Sequence, residues 1–175
     1  MYDTTLRDGA QGEGISFSSA GKMTLAKRLD QFGVDYIEGG YAGSNKKDMD
    51  FFKDVRREHL CHAKIVAFGA TRRAGVKVKA DPMVQSLIKT DARVVTVVGK
   101  AWKLHVRDVL RTTEEENFAM ISDTIGYMKD RGREVFFDAE HFNTFFRQQY
   151  FIAVCWFRTN EVGFVVFEIT SETFN

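Results

Sequence analysis

The sequence predicts an α/β fold, specifically an incomplete (β/α)8 TIM barrel of about five to six βα units. Strand-like runs begin near residues 1, 34, 64, 93 and 134, and a helical pattern fills each gap. This repeat also suits a doubly wound open sheet, but polar residues follow every predicted strand, whereas an open sheet gathers its site at one switch point. The 175 residues fall short of the roughly 250 that are typical of a complete barrel.

Each predicted element has its own local signal. Ser18-Ser19 precedes apolar residues at helical spacing and is typical of a helix N-cap, and Gly33 is typical of a helix end. Further helix starts are predicted at Ser44-Asn45, at Asp81-Pro82, and at Thr112-Thr113 with its following glutamates. The predicted strands are Met1 to Thr5, Val34 to Glu38, Lys64 to Phe68, Arg93 to Val98 and Glu134 to Asp138.

The composition changes after residue 142. Lysine is absent from there on, and ten of the 16 phenylalanines lie between residues 134 and 175. A short helix at Tyr150 to Phe157 and a strand at Val162 to Ile169 are predicted, each apolar on every side. We therefore expect residues 1–142 to be the N-terminal part of a TIM-barrel catalytic domain. Residues 143–175 are expected to be an atypical tail that is out of frame or foreign.

Charge and composition exclude several classes of protein. A net charge of +1 argues against a nucleic-acid binder or a polybasic membrane anchor. No apolar run reaches the roughly 18–20 residues of a spanning helix, and the N-terminus has no apolar signal core, so a cytoplasmic location is expected. Cys61 and Cys155 are too few for a disulfide framework or a zinc ribbon, and we expect both to be buried thiols.

Charged residues at the predicted strand ends are candidates for chemistry. Asp8 could bind a divalent cation and Arg7 could stabilise a developing oxyanion, or the two could form a surface ion pair at a turn. Glu140 could orient Arg7 or act as an acid or base, or it could be a solvated loop carboxylate. Glu38 also ends a strand and has similar standing.

Residues after the third and fourth strands are weaker candidates. Trp102, Leu104 and His105 could contact a substrate, or they could pack a long βα loop. Lys100, Arg72 and Arg73 could attract an anionic substrate, or they could be solvated loop cations.

Five stretches taken together resemble a known family. They resemble the isopropylmalate/homocitrate synthase family of acyl-CoA-condensing TIM barrels, and its citramalate synthases in particular, over roughly residues 1–142. The stretches are YDTTLRDGAQGEG from Tyr2, VDYIEGGYAGS from Val34, KIVAFGATRR from Lys64, VTVVGKAWKLHV from Val95 and VFFDAEHF from Val135.

The resemblance implies an acyltransferase that condenses acetyl-CoA with pyruvate or another 2-oxo acid in branched-chain amino-acid (isoleucine/leucine) biosynthesis. It also implies a divalent metal, Mg²⁺ or Mn²⁺, and a homo-oligomer. Asp8 matches the metal ligand, Arg7 the residue that polarises the keto oxygen, and Glu140 the acidic residue that supports Arg7. Gln11, Glu38 and His105 match pocket-lining positions.

The sequence departs from the family pattern at one point that matters for the metal. The family completes its metal site with a His-x-His pair, and this sequence contains none. We therefore expect an incomplete metal site and a chain that is inactive alone. Two other interpretations stay open, namely a non-catalytic partial barrel that assembles with another chain, and a related carbon–carbon lyase.

Overall fold

The computed structural model describes residues 1–140 and the short strand at residues 164–166. Strands and helices alternate along this part of the chain, as the sequence predicts. The strands are β1 (Tyr2–Asp3), β2 (Tyr36–Tyr41), β3 (Lys64–Ala70), β4 (Val94–Lys100), β5 (Glu134–Glu140) and β6 (Phe164–Val166). The α-helices are α1 (Ser19–Phe32), α2 (Lys46–Val55), α3 (Pro82–Thr90), α4 (Lys103–Asp108) and α5 (Glu114–Lys129). Short 3-10 helices lie at Gly9–Gln11 and Val78–Ala80.

The first of two compact units comprises residues 1–69 and 85–95. In it β1 pairs in parallel with β2, and β2 pairs in parallel with β3. α1 and α2 pack beside this sheet, and apolar side chains between the layers form the core. Completely buried members of that core are Leu6, Ile37, Phe51, Phe52 and Val66.

β2 carries one more residue than β3 at the site where α2 packs on it. Glu38 pairs with Val66, but Gly40 pairs with Ala67, so Gly39 is the extra residue. A Cβ atom at Gly39 would lie 2.6 Å from the Phe51 ring, closer than real Cβ contacts. The two glycines are therefore required here because helix α2 touches the strand backbone.

The second unit comprises residues 70–84 and 96 onward. Its strands β5 and β6 pair in parallel, with Phe136 opposite Phe164. Helix α5 packs closely on β4, as shown by the 3.1 Å that would separate a Cβ atom at Gly99 from Ile121. The same Cβ atom would lie 2.9 Å from the ring of Phe137 on β5. The unit thus has its own apolar core.

The predicted helix ends are confirmed by hydrogen bonds. The Ser18 hydroxyl accepts the Gly21 N–H at 3.0 Å, and Gly33 ends α1 in the left-handed conformation. Asn45 caps α2 by accepting the Asp48 N–H at 2.8 Å. The Thr113 hydroxyl accepts the N–H of Glu116 at 3.2 Å and so caps α5.

Three expectations about the fold change. Lys103–Asp108 forms helix α4, where the sequence suggested part of a long loop. The expectation that Cys61 is buried is wrong, because this thiol lies in the exposed turn before β3. β2 continues to Tyr41, past the strand end predicted at Glu38. β6, at Phe164–Val166, lies within the strand predicted at residues 162–169. The predicted helix at Tyr150 to Phe157 and Cys155 lie outside the described residues.

Within the described residues, no helix has both the length and the apolarity needed to cross a membrane.

Candidate active site

Arg7 lies in the turn that follows β1 and is held by three kinds of contact. The N–H groups of residues 7–9 all donate to the Thr4 carbonyl at 2.8–3.2 Å, which closes the turn. The Arg7 Nε–H donates to Glu38 Oε2 at 2.7 Å. The guanidinium carbon lies 3.9 Å from the centroid of the Phe68 ring, within cation–π range. These contacts hold the charged end of Arg7 in one orientation.

Glu38 is the buried partner of Arg7. Its residue surface is 2% exposed, and its carboxylate also accepts the Tyr2 hydroxyl at 2.6 Å. Burial raises the pKa of the Glu38 carboxyl, because its desolvation outweighs the Arg7 charge and the hydrogen bonds from Tyr2 and Arg7. The expectation that Glu38 ends a strand is wrong, because β2 continues to Tyr41; Glu38 lies inside the strand, beside Arg7.

Asp8 contacts Arg7 from the exposed side of this pair. Its side chain is 52% exposed, and Oδ1 lies 3.2 Å from Arg7 Nη1, so the two form the ion pair that the sequence analysis kept as an alternative. Among residues 1–140, no three His, Cys, Asp or Glu side chains come close enough together to hold a metal ion. A divalent cation in a protein needs several oxygen or nitrogen ligands, and Asp8 is one carboxylate. A cation at Asp8 would therefore need further ligands beside this carboxylate.

A cavity of about 280 Å³ lies beside Arg7 in the first unit. Gln11, from the 3-10 turn, shares its wall with Arg7, so two predicted site residues border one space. Tyr41 also contributes to this wall. The volume exceeds that of a water molecule several times over and suits a small polar ligand or part of a larger one.

A buried ion pair between Lys22 and Asp48, which was not among the residues predicted for the site, borders another side of this cavity. Lys22 of α1 donates from Nζ to Asp48 Oδ1 at 2.5 Å and to the Gly39 carbonyl at 2.9 Å. Asp48 Oδ2 accepts the Tyr41 N–H at 3.1 Å. The available signal was spacing, since Lys22, Ala26 and Asp30 recur every four residues on the buried face of α1. A charged residue on such a face requires a buried partner.

In the second unit, Glu140 is paired with Lys100. Lys100 Nζ lies 2.5 Å from Glu140 Oε2, at the ends of β4 and β5. The Asn117 amide donates to the Lys100 carbonyl at 3.0 Å, which ties the end of β4 to α5. From the sequence, Lys100 could attract an anionic substrate or be a solvated loop cation, whereas the structure makes it the partner of Glu140, a predicted catalytic residue.

The Arg72 guanidinium is buried and bonded to carboxylates of the protein, so it is not exposed to an anionic ligand. Its side chain is 7% exposed, and it bonds Glu116 at 2.7 Å and Asp123 at 2.8 Å. The hydrogen bond to Glu116 chiefly raises the pKa of Arg72, against the opposing effect of burial. The expectation that Arg72 attracts an anionic substrate is corrected, because its charge locks the loop after β3 onto α5. Arg73 is 63% exposed and pairs with the buried Asp81.

His105 lies on α4 and packs against Trp102. The ring centroids are 4.7 Å apart, with the planes tilted by 49°. The two residues therefore pack on each other as the packing alternative of the sequence analysis expected, while the role of His105 as a pocket-lining residue stays a prediction.

Comparison with known proteins gives these residues a family. Residues 1–171 match the HMGL-like family. The chain is 54% identical over 142 residues to the (R)-citramalate synthase of Aquifex aeolicus, a match that covers 81% of this chain and 27% of that protein. It is 53% identical over 141 residues to the (R)-citramalate synthase of Synechocystis sp., covering 81% and 26%. The chain thus spans about a quarter of the length of these curated relatives.

Solved structures show the same fold at low sequence identity. The HMG-CoA lyase of Bacillus subtilis aligns with a TM-score of 0.61 and 16% identity, over 79% of this chain and 45% of that one. The HMG-CoA lyase of Brucella melitensis aligns with a TM-score of 0.59 and 18% identity, over 79% and 47%. The predicted fold class is confirmed, since the strands and helices of the chain are those of an incomplete (β/α)8 barrel. The chain belongs to the HMGL-like family.

Proposed function

We propose that this sequence is the N-terminal part of the catalytic barrel of an acyltransferase that condenses acetyl-CoA with pyruvate or another 2-oxo acid. The observation that carries the proposal is the Arg7 guanidinium, fixed by the buried Glu38 at the wall of a cavity. The identity of 50–54% to several (R)-citramalate synthases supports it. The alternative of a carbon–carbon lyase has support only in the fold, because the lyases are 16–18% identical.

In the proposed reaction, the methyl carbon of acetyl-CoA loses a proton and attacks the keto carbon of the 2-oxo acid. The keto oxygen becomes an alkoxide as the carbon–carbon bond forms. Arg7 stabilises this charge with donors that are already oriented before the reaction, which is the main source of electrostatic catalysis. Hydrolysis of the thioester then releases CoA as a thiol and makes the reaction irreversible. Glu140, with Lys100 as its partner, is the proposed acid or base: as a base it takes the methyl proton, and as an acid it returns that proton to the alkoxide.

Asp8 is the proposed ligand for Mg²⁺ or Mn²⁺, on the family resemblance. A bound cation would supply further positive charge to the substrate oxygens. Because the described residues form no three-ligand cluster, the steps above involve only Arg7 and Glu140. Gln11, Glu38 and His105 are proposed to line the substrate pocket.

The remaining properties of the proposal come from the same resemblance. The product would serve isoleucine or leucine biosynthesis in the cytoplasm, and the enzyme would be a homo-oligomer. Residues 143–175 are proposed to be foreign to the barrel domain or out of frame.

A chimaera tests the activity. The part of this chain that matches Aquifex aeolicus (R)-citramalate synthase replaces the corresponding segment of that enzyme, and CoA release from acetyl-CoA is followed with a thiol-reactive dye. Pyruvate-dependent thiol release is expected, and Arg7→Gln should lower it by about 10²–10³-fold. Arg28→Gln, an exposed position on α1, is the matched control and should have no effect. A chimaera with native circular dichroism and no pyruvate-dependent thiol release would contradict the proposal.

A further inference from the structure

The extra residue in β2 places Glu38 and Tyr41, which a regular strand would separate, on the same face of the strand. Glu38 and Tyr41 are three positions apart, and side chains of a regular strand alternate between its two faces. An odd separation therefore places two residues on opposite faces. In β2 the register shifts by one residue between Glu38 and Gly40. This shift restores Tyr41 to the face on which Glu38 lies.

Contacts on both sides of the strand agree with this. Gly39 and Gly40 both face α2, where Cβ atoms would meet Phe51 and Asp48. On the opposite face, Glu38 bonds Arg7. Also on that face, the Tyr41 ring packs edge-on against Phe68, with centroids 5.4 Å apart and planes at 66°. A bulge of this kind is a known means of re-aiming a side chain near a functional site.

Phe68 contacts Arg7 directly. It is 5% exposed and lies opposite Tyr41 in the strand register. Its carbonyl accepts the Ala42 N–H at 2.8 Å, so its backbone is anchored next to β2. Its ring lies under the Arg7 guanidinium at 3.9 Å. The ring is thus held from the sheet and from the Tyr41 side while it supports the cation.

The carboxylate and the ring restrain different motions of Arg7. A hydrogen bond at Nε fixes one edge of the guanidinium plane but leaves the plane able to tilt about that edge. An aromatic ring against the face of the plane opposes the tilt. We propose that Phe68 and Tyr41 are positioning residues that set the tilt of the Arg7 guanidinium toward the cavity. This inference rests on the proposed function for its catalytic consequence, but its geometric part does not.

The geometric part is tested by NMR on this chain. The Nε–H signal of Arg7, assigned by its disappearance in Arg7→Lys, should be shifted upfield by the ring current of Phe68. Phe68→Leu and Tyr41→Leu should move the signal downfield, because the ring current is lost or displaced, with Phe68→Leu giving the larger change. Tyr41→Phe, which keeps the ring, should leave it in place. If folded Phe68→Leu gives the Arg7 signal at the same chemical shift as the unsubstituted chain, the proposal is overturned. Should Phe68→Leu not fold, Tyr41→Leu, at a less buried position, provides the same test. The same chemical shift in Tyr41→Leu as in the unsubstituted chain would also overturn the proposal.

The catalytic part is tested in the chimaera. A tilt of the donors misplaces them for the alkoxide more than for the substrate, so Phe68→Leu and Tyr41→Leu should lower kcat by about 10–100-fold with little change in KM. Tyr41→Phe, which keeps the ring, should lower kcat less than Tyr41→Leu does, and Arg28→Gln, at an exposed position on α1, should keep kcat within about twofold of the unsubstituted chimaera. A rise in KM by about 10–100-fold with unchanged kcat would overturn the positioning role. If the Arg7 Nε–H signal moves in these variants as expected but the chimaera releases no thiol, the positioning role is supported and the proposed function is contradicted.

Discussion

Lys22 and Asp48 form a buried ion pair that joins α1 to α2 behind β2, with 2.5 Å between Nζ and Oδ1. The side chains are 4% and 10% exposed, so neither charge can be solvated if the other is removed. Removing one partner of such a pair typically costs about 3–5 kcal/mol, because the other charge is left uncompensated. The pair therefore holds together the elements that border the cavity.

Lys22→Met should lower the free energy of unfolding by about 3–5 kcal/mol in urea denaturation. Asp48→Asn should have a similar effect, since it leaves the ammonium without its counter-charge. The double variant Lys22→Met/Asp48→Asn should be less destabilised than the sum of the single variants, because no lone charge remains. Strictly additive losses would show that the two side chains act independently.

Gly39→Ala should destabilise the protein by about 1–3 kcal/mol, because the new methyl group would lie 2.6 Å from the Phe51 ring in a packed core. The matched control is Gly126→Ala, at an exposed position inside α5 with no atom within 4 Å of the added Cβ. This control should raise stability by about 0.5–1 kcal/mol through its helix propensity. Thermal melts of both variants give the comparison, and a Gly39→Ala melt equal to that of the unsubstituted chain would contradict close packing at β2.

Asp30 should make stability depend on pH in the acid range. Its carboxylate accepts the N–H groups of residues 61–63 at 2.7–2.8 Å and ties the end of α1 to the turn before β3. Burial acts to raise the pKa of Asp30, but these three hydrogen bonds outweigh it and the pKa lies below its ordinary value of 3.8. The folded state therefore binds the proton less tightly than the unfolded state. The stabilisation is complete above pH 3.8 and is lost as the pH falls through the folded pKa.

Asp30→Asn should lower the free energy of unfolding by about 1–3 kcal/mol at neutral pH, since hydrogen bonds to a charged acceptor are replaced by weaker ones. The difference in free energy of unfolding between this variant and the unsubstituted chain should become smaller below about pH 4. Urea midpoints measured between pH 2.5 and pH 7 test this, where the pH limits are roughly those over which an aspartate titrates. A gap that stays constant down to the lowest pH would mean that the carboxylate charge is not what stabilises the turn.

Arg72→Lys should loosen the loop after β3. A lysine keeps the charge but has no planar fork, so it can satisfy one of the two carboxylates, Glu116 or Asp123, and not both. The N–H of Gly75 donates to Glu116 Oε1 at 2.9 Å and reports on this loop. Its hydrogen exchange should become faster by about tenfold, which corresponds to about 1.4 kcal/mol. Arg73→Lys, at an exposed side chain, should leave the exchange of Gly75 unchanged.

The helices could be predicted from the sequence because their signals are local. Ser18, Asn45 and Thr113 each cap a helix within three residues of their own position, and Gly33 ends one through its own backbone conformation. Helix α4 was missed because its N-cap residue, Trp102, makes no side-chain capping bond and the helix has only six residues. Local signals of this kind do not report partners that are distant in the chain.

The sequence by itself determined the alternation of strands and helices, and it placed Arg7 and Glu140 at strand ends, because hydrophobic periodicity and caps act over a few residues. Only the tertiary structure decided the partners. Arg7 bonds a carboxylate 31 residues away, and Glu140 bonds a lysine 40 residues away. Strand pairing brings such residues together, and in β2 one extra glycine changes which face a side chain occupies. A shift of one residue reverses the face of every position beyond it, so the pattern of the strand alone cannot show that Tyr41 lies with Glu38.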